Sequence, residues 1–283
     1  MSGGTAVVFL VAILVLLCGC CALDKIAQES VQIVDNSHRN LQTQTGQLET
    51  RRDSKRANAK AERVKRLLQT LESVPTPDFF KKDPSAPAHN PKGPAIFAAA
   101  MSVDMRHADV MHFAGTARKA DFNGDLVLAV LPNSMPGFLD AVKQVQAISY
   151  TVNPDCTGSS HAQVCSFPGF DSFKVSINMV RFYMYQWWAR QYDEDALIMV
   201  SDFRDVFFQA NPFTYKTFDW APPVAQMVVF QEVFPNKVIY RCPFNGGWIE
   251  GCYGTAGLKR IGSNTVSCSG VSIGTRNAII IYV

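Results

Sequence analysis

Three charged side chains lie just after an apolar run at residues 196–200. They are the carboxylates of Asp202 and Asp205 and the guanidinium of Arg204. The run, ALIMV, has the length and composition of a buried strand. Neighbouring carboxylates at a strand end repel each other and lose hydration unless a positive charge neutralises them. Arg204 could neutralise one carboxylate in a simple ion pair. A divalent cation could instead bind both, since Mg²⁺ and Mn²⁺ prefer oxygen ligands and are often held together with substrate phosphates.

The segments around these residues predict an α/β domain over residues 95–283. Apolar runs of strand length alternate with helical periodicity, which favours a mostly parallel, Rossmann-like sheet flanked by helices. Residues 95–101 are a compact apolar run. The predicted strands are 126–131, 147–152, 196–200, 224–230, 237–240 and a final run at 279–283, and the predicted helices are 137–145 and 173–192. Because ligands bind at the carboxyl ends of the strands in such sheets, residues 201–205 should lie at the ligand edge.

The amino terminus predicts membrane attachment. Residues 6–23 are uncharged and almost wholly apolar, and a helix of this length can span a bilayer. A cleaved signal peptide or a lipoprotein signal would begin with basic residues, whereas the preceding sequence MSGGT contains neither Lys nor Arg. We therefore favour an uncleaved signal-anchor over residues 1–23, with cleavage as the alternative.

Two further segments separate this anchor from the domain. Residues 24–74 are polar and free of proline, with apolar residues at helical spacing, which predicts an exposed helical stem that could pair two chains as a weak coiled coil. Residues 75–94 contain six prolines and predict a semi-rigid linker rather than helix or sheet. A solvated helix face accounts for the basic cluster at residues 51–66, since no motif for reading nucleic acid accompanies it.

The cysteines downstream of the anchor indicate an oxidising compartment. Cys156 and Cys165 end one polar loop, and Cys242 and Cys252 end a second, so each pair could close its loop with a disulfide. The alternative is that these thiols are free and buried. A zinc site would need closer cysteine spacing than either pair has.

The segment SDFRDVFFQANPF, residues 201–213, resembles the metal-site segment of GT-A-fold glycosyltransferases, and more narrowly that of Golgi-type, single-pass nucleotide-diphospho-sugar transferases. Three other segments are similar to motifs of that family. They are NMVRFYMYQWWARQYDED at 178–195, FNGGWIEGCYG at 244–254 and SNTVSCSGVSIGT at 263–275. The anchor, stem and linker match the type II membrane layout of the family, so the resemblance implies a GT-A-like domain in the Golgi lumen.

The resemblance also implies a Mn²⁺ or Mg²⁺ site in this segment. Asp205 aligns with the last aspartate of the family's D-x-D motif, while Phe203 stands in place of the first. Asp202, one residue away, is expected to take over as the second ligand. Arg204 is expected either to meet a donor phosphate or to hold Asp202.

The donor side of the implied site includes two further segments. Arg181, on the helix before the strand, is expected to orient the donor, and an ion pair with Asp193 or Glu194 is the alternative. Ser269 and Gly270 are expected to form a loop against the donor, where glycine would let the backbone approach the sugar closely. An ordinary tight turn is the alternative for that run.

The acceptor side is expected to include Asn245 and Trp248, with the Trp248 ring stacked on a sugar face. The alternative is a tryptophan buried in the core. Together these implications predict metal-assisted transfer of a hexose or pentose from a nucleotide-diphospho-sugar to a glycan or glycoprotein. No residue is identified as a catalytic base. Because members of the family continue beyond the last of these motifs, the domain is expected to be incomplete at Val283.

Two other functions compete with this prediction. A catalytically inactive, membrane-tethered carbohydrate-binding or scaffold protein on the same fold is favoured by the phenylalanine inside the metal motif. A secreted α/β hydrolase is the weaker alternative, because the sequence contains no nucleophile motif such as G-x-S-x-G.

Overall fold

The computed structural model describes residues 80–157, 164–166, 175–214, 226–232 and 237–283, together with the helical positions Glu62, Arg66 and Gln69. The predicted anchor at 1–23 and nearly all of the predicted stem lie outside the described residues. None of the helices within these ranges is both long enough and apolar enough to cross a bilayer.

The described part of the chain folds into a seven-stranded sheet, a second sheet of three short strands, and helices. The strands are β1 (Phe80–Lys82), β2 (Ala95–Ala100), β3 (Asp125–Val130), β4 (Ile148–Val152), β5 (Asp155–Thr157), β6 (Val164–Ser166), β7 (Val175–Ser176), β8 (Leu197–Ser201), β9 (Met227–Gln231) and β10 (Ser267–Thr275). The helices are α1 (His107–Val110), α2 (Thr116–Lys119), α3 (Phe138–Gln144), α4 (Ile177–Ala189), α5 (Pro243–Ile261) and α6 (Arg276–Tyr282). A π-helical turn, Met111–Gly115, joins α1 to α2, and a 3-10 turn, Ile239–Arg241, precedes α5.

The large sheet is mixed and has the strand order β1-β4-β3-β2-β8-β10-β9. Its four adjacent strands β4, β3, β2 and β8 are parallel, whereas β1 and β10 run antiparallel to their neighbours. The predicted α/β class is thus confirmed, with antiparallel strands added on both sides of a parallel centre.

Helices cover both faces of this sheet, which explains the almost continuous apolar sequence of its central strands. β2 and β3 are buried along nearly their whole length. On one face, Trp188 of α4 and Ile279 of α6 belong to the same buried cluster as Phe97 of β2. On the other face, Phe113 and Phe138 pack with the alternate residues of the strands.

Three predictions for the carboxyl-terminal part are wrong. Ser269 and Gly270, for which a loop was predicted, lie inside the strand β10, and most of the final run 279–283 lies in α6 where a strand was predicted. Residues 237–240 contribute an isolated bridge and a 3-10 turn instead of a strand. Short apolar runs do not distinguish helix from strand by periodicity alone. The helical state is favoured at α6 by Thr275, whose side chain accepts a hydrogen bond from the backbone N–H of Ala278 at 3.4 Å.

The predicted linker is wrong in its second part, because residues 80–94 belong to the domain. β1 pairs antiparallel with β4, with Phe80 opposite Val152 and Lys82 opposite Tyr150. The prolines do not interrupt this pairing, since β1 contains none. Two of the six precede it in the sequence, and the other four lie in the irregular segment that leads to β2.

His89 ties this segment to the domain through a chain of hydrogen bonds. Tyr192 Oη donates to Asp125 Oδ2 at 2.7 Å, and it therefore accepts from Nδ1 of His89 at 2.9 Å. Nε2 of His89 is then left to accept from Tyr150 Oη at 2.8 Å. The backbone N–H of Asn90 also donates to Asp125 Oδ2, at 2.8 Å. Burial lowers the pKa of His89, which agrees with the neutral imidazole that this arrangement requires.

The two predicted disulfides have different outcomes. Cys165 is disulfide-bonded, and it lies directly opposite Cys156 where β6 pairs with β5, a register that fits the predicted bridge between them. The predicted Cys242–Cys252 disulfide is wrong, since Cys242 has a free thiol. Cys242 caps the amino terminus of α5 and Cys252 lies further along the same helix. Their separation of about 15 Å, at about 1.5 Å per residue, is beyond the reach of a disulfide.

Candidate functional site

The order in which successive strands are added to the sheet reverses at β2. It runs outward from β2 to β3 and β4, and it later adds β8 on the opposite side of β2. Ligand crevices of open α/β sheets form at such a switch point, outside the carboxyl ends of the strands. Here the switch point lies between residues 101–106, which follow β2, and residues 202–206, which follow β8. We call these two segments the switch-point edge.

An ion pair joins the two segments of the switch-point edge. Arg204 Nη2 donates to Asp104 Oδ1 at 2.7 Å. Both side chains are more than half exposed, at 51% and 61%, so the pair lies at the surface of the edge. Ser102 Oγ also donates to Asp104 Oδ1, and the hydrogen bonds from Ser102 and Arg204 lower the pKa of Asp104. The expectation that Arg204 holds Asp202 is therefore wrong.

Asp202 has a different partner, which lies on α4. Arg181 Nη1 donates to Asp202 Oδ1, so the alternative pairing of Arg181 with Asp193 or Glu194 is wrong. The Arg181 side chain is only 19% exposed. Burial by itself lowers the pKa of Arg181, but its electrostatic interactions with Tyr185 and Asp202 outweigh burial and raise the pKa. The guanidinium is thus charged, and Asp202 is the one carboxylate that balances it in the part of the chain that the structure describes.

Strand β10 places a glycine against the Asp202 side chain. The backbone N–H of Asp202 donates to the carbonyl of Gly270 at 2.7 Å. A Cβ added to Gly270 would lie 2.8 Å from Asp202 Oδ2, closer than non-bonded atoms normally approach. The φ of Gly270 is not positive, so the requirement for glycine comes from this close approach and not from the backbone conformation. Gly270 and the exposed Ser269 thus lie in a strand beside Asp202 instead of in the loop predicted for them.

Phe203 has a structural reason to interrupt the D-x-D pattern. It is 3% exposed, and its ring packs 5.0 Å from that of Phe113 and 6.4 Å from that of Phe138, between centroids. These contacts lie on the face of the sheet opposite to α4, as the alternation of side chains along an extended chain requires. Asp202 faces α4 and Asp205 is exposed. An aspartate at position 203 would therefore point into the apolar core.

The rest of the motif, residues 207–213, is fixed by packing against the neighbouring elements. The backbone N–H of Phe208 donates to Thr116 Oγ1 at 3.0 Å. The Phe213 ring packs against the Phe122 ring at 5.4 Å between centroids. The apolar residues of this segment thus hold the switch-point edge in place.

Asn245 and Trp248 lie on α5. Trp248 is 58% exposed and its ring contacts that of Phe244 at 6.3 Å between centroids, so the alternative of a core tryptophan is wrong. Asn245 Nδ2 donates to Cys242 Sγ at 3.2 Å, and this hydrogen bond lowers the pKa of the Cys242 thiol. A cavity of about 300 Å³ adjoins the start of the helix and is lined by Lys237, Val238, Arg241, Cys242, Pro243 and Phe244.

Strand β10 brings the start of α5 to the same side of the sheet as the switch-point edge. Val271 lies opposite Ser201, the last residue of β8, so residues 267–270 extend beyond the carboxyl end of β8. Further in this direction, Thr265 pairs with Val238, just before the 3-10 turn and α5. The start of α5 therefore lies beyond the carboxyl edge of the parallel strands.

The carboxylates at this edge have the chemistry of a divalent cation site but do not complete one. Among the described residues, no group of three or more His, Cys, Asp and Glu side chains could hold a metal ion. Mg²⁺ is commonly bound by one or two carboxylates and completes its coordination with water and substrate phosphates. The exposed Asp205 and the 32%-exposed Asp202 offer ligands of the type that such a shared site needs.

The sequence analysis missed Asp104 and Ser102. The rule that singled out Asp202, a carboxylate just past an apolar run, applies equally to Asp104 after the run at 95–101. It also missed Tyr185, whose hydroxyl donates to the carbonyl of Ser201 at 3.2 Å and so fixes the end of β8.

Comparison with known proteins assigns no family to the chain. No family model matches it, and no curated protein matches it either. The fold and the edge define an α/β domain with acidic and basic side chains at a topological switch point.

Proposed function

We propose that the chain is a glycosyltransferase that moves a sugar from a nucleotide-diphospho-sugar to a glycan or glycoprotein acceptor. The observation that carries this proposal is the switch-point edge. There, Asp202, Arg204 and Asp205 lie outside the carboxyl ends of parallel strands, in a segment that resembles the metal site of GT-A glycosyltransferases. The parallel strands and the two helical layers are compatible with a GT-A-like fold.

The donor diphosphate is proposed to bind at this edge. The cation site, for Mn²⁺ or Mg²⁺, is built from Asp205 with Asp202 beside it. When bound, either cation neutralises the charge that develops on the departing diphosphate. Arg204 is half exposed, so its guanidinium can donate a charge-assisted hydrogen bond to a phosphate oxygen. Ser269, exposed beside Gly270, is a further proposed donor contact.

The acceptor is proposed to bind along α5. The exposed ring of Trp248 presents an apolar surface on which the face of a pyranose can stack. Asn245 lies one turn earlier, at the start of the helix, which is on the side of the switch-point edge. A sugar held by these residues would approach the donor from beyond the amino end of β10.

The proposed location is the Golgi membrane, with a single type II span at residues 6–23 and the domain in the lumen. The apolar length of that segment supports a span. The disulfide at Cys165 supports an oxidising compartment, because cytosolic reductants keep most thiols reduced. The helical stem could join two copies as a homodimer.

Donor hydrolysis by the full-length chain in mild detergent tests the proposed activity. The chain is incubated with Mn²⁺ and a panel of nucleotide-diphospho-sugars, and the released nucleotide diphosphate is measured. Turnover that requires Mn²⁺ and is lost in Asp205→Asn supports the proposal. Asp195→Asn is the matched control, because Asp195 is an exposed aspartate just before the amino end of β8, and it should keep wild-type turnover. The absence of both turnover and Mn²⁺-dependent nucleotide binding would contradict the proposed enzymatic activity.

A second candidate is a catalytically inactive carbohydrate-binding or scaffold protein on the same fold. It is favoured by the buried Phe203, which stands in place of the first aspartate of the family's D-x-D motif. This candidate predicts glycan binding that depends on Trp248 and occurs without Mn²⁺ or turnover. A glycan array probed with the wild-type chain and with Trp248→Ala separates the two functions.

A further inference from the structure

We propose that the acceptor is an acidic sugar, one that carries a carboxylate or a sulfate, and that Arg241 binds its charged group. This inference rests on the proposed function and names the substrate class of the acceptor site on α5. It follows from the charges and the aromatic rings around the cavity at the start of that helix.

The cavity adjoins the aromatic surface on which the acceptor is proposed to stack. Phe244 lines the cavity, and its ring also contacts that of Trp248 at 6.3 Å between centroids. Both rings are well exposed. The cavity volume of about 300 Å³ is at the lower end of the range for small-molecule sites, which favours a ligand as small as one sugar residue. A sugar stacked on Trp248 could therefore place a substituent in the cavity.

The cavity has a positive charge that no carboxylate balances in the described part of the chain. Two cationic side chains line it, Lys237 and Arg241. Lys237 Nζ lies 3.1 Å from Glu232 Oε2, so its charge is balanced. Arg241 is exposed, and its guanidinium lies over the Tyr240 ring, 5.6 Å from the centroid. Arg241 forms no ion pair with any described residue, so its guanidinium is available to an anionic ligand.

The thiol of Cys242 shows that the lining of this cavity favours a negative charge. Cys242 lines the same cavity, and its pKa is lowered. The main cause is the hydrogen bond from Asn245 Nδ2, and the backbone N–H of Asn245 and the charge of Lys237 contribute as well. Groups that stabilise a thiolate also stabilise another anion placed beside them. The electrostatics of the lining therefore agree with an anionic ligand at Arg241.

The aromatic rings beside the charge favour an acidic sugar over a free anion. Phe244 and Trp248 present apolar surface that an inorganic ion cannot use. The planar guanidinium of Arg241 can donate two parallel hydrogen bonds to a carboxylate or a similar oxyanion. An acidic sugar contacts both the rings and the guanidinium, whereas a neutral sugar would leave the charge of Arg241 without a partner.

The binding of matched sugars tests the proposal. Methyl β-glucoside is the neutral probe, and methyl β-glucuronide and methyl β-glucoside 6-sulfate are the acidic probes, which differ from it only at C6. Each sugar is titrated into the full-length chain in mild detergent, without metal or nucleotide, and saturation-transfer NMR measures the Kd. We expect wild type to bind at least one acidic sugar about 10-fold more tightly than the glucoside, because a charge-assisted hydrogen bond is added.

Three variants assign this preference to the proposed residues. Arg241→Gln should reduce the preference to less than about threefold while leaving the affinity for the glucoside unchanged. Arg260→Gln is the matched control, because Arg260 is an exposed arginine at the other end of α5, and it should keep the preference. Trp248→Ala should weaken the binding of the acidic and neutral sugars by similar factors, since the ring is proposed to stack on all of them.

Several outcomes would overturn the proposal. They are no detectable sugar binding, equal affinities of wild type for acidic and neutral sugars, and a preference that persists in Arg241→Gln. Inorganic sulfate that binds as tightly as the acidic sugars would also overturn it, by showing a site for a free anion. Donor hydrolysis tests the transferase separately. A preference that depends on Arg241 in a chain without turnover would support the acidic-sugar site and contradict only the transferase, while turnover without the preference would overturn this inference alone.

Discussion

Arg204 and Asp104 form a hydrogen bond of 2.7 Å although they are 100 positions apart in the chain. The bond joins the segments that follow β2 and β8, on the two sides of the switch point. Exposed ion pairs of this kind contribute little to stability. The bond between Arg204 and Asp104 therefore matters mainly for the position of the Arg204 guanidinium. It holds this group at the edge where an anionic ligand would arrive.

Replacing Arg204 with alanine should weaken nucleotide binding without unfolding the chain. We expect a change of at most about 1 kcal/mol in the free energy of unfolding, because the pair is exposed. The loss of one hydrogen bond to a phosphate should cost about 1.5–3 kcal/mol of binding. Calorimetric titration with a nucleoside diphosphate in Mn²⁺ measures the affinity, and urea unfolding measures stability. Asp104→Ala is the matched control, since it removes the same ion pair but keeps the guanidinium. Equal losses of affinity in the two variants would show that Arg204 does not contact the ligand.

Restoring the D-x-D pattern with Phe203→Asp should destabilise the domain and give no better metal site. The Phe203 side chain is 3% exposed between Phe113 and Phe138. Removing such a ring costs about 3–5 kcal/mol, and burying a carboxylate in its place adds to that cost. Phe207→Asp is the control, because Phe207 is 51% exposed, and it should cost less than about 1 kcal/mol. Urea unfolding checks both variants, and a stable Phe203→Asp with tighter Mn²⁺ binding would contradict the core position of Phe203.

Gly270→Ala should destabilise the chain only while the Asp202 carboxylate is present. The added Cβ would lie 2.8 Å from Oδ2 of Asp202, so the carboxylate must move and weaken its ion pair. We expect a cost of about 1–3 kcal/mol, and almost no cost in the Asp202→Ala background, where the clashing oxygen is absent. Gly247→Ala is the control, since nothing lies within 4 Å of the added Cβ. In an exposed helix position it should be neutral or slightly stabilising. A double-mutant cycle by urea unfolding measures the coupling, and additive effects would exclude it.

The domain should lose stability on mild acidification through His89. Burial lowers the pKa of His89 below its ordinary value of 6.5, so the folded chain holds the imidazole neutral while the unfolded chain takes up a proton. The stabilising contribution is therefore present above about pH 6.5 and is lost as the pH falls below it. We expect the Tm of wild type to fall more steeply than that of His89→Gln between about pH 7.5 and 5.5. If the Tm of the two proteins fell equally steeply with pH, the acid sensitivity would come from groups other than His89.

Burial on both faces made the parallel centre of the sheet predictable. The predicted strands at 126–131, 147–152 and 196–200 correspond to β3, β4 and β8, and the compact apolar run at 95–101 contains β2. Such strands are almost wholly apolar, and this composition is visible without any knowledge of their partners. β10 was missed because it contains serines and glycines, and its extended state depends on pairing with β8 and β9.

The position of the candidate site was predictable, but the partners within it were not. A carboxylate after an apolar run marks the end of a strand, and this placed Asp202 and Asp205 at the correct edge. Spacing along the chain weighs near neighbours most heavily, so it offered Asp202 as one of two alternative partners for Arg204. In the fold, Arg204 pairs with Asp104, and Asp202 pairs with Arg181, which is 21 positions away. Only the packing of α4 and β2 against β8 decides these pairings.

Strand β1 has a consequence for how the domain can be separated from the proposed membrane anchor. It covers the outer edge of β4, which would otherwise present unpaired N–H and C=O groups. An uncovered, largely apolar edge strand is a template for pairing with another chain, and it promotes aggregation. A soluble form that begins at Ala95 would expose this edge and lose the hydrogen bonds of His89. Secreted versions of the domain should therefore begin before Phe80.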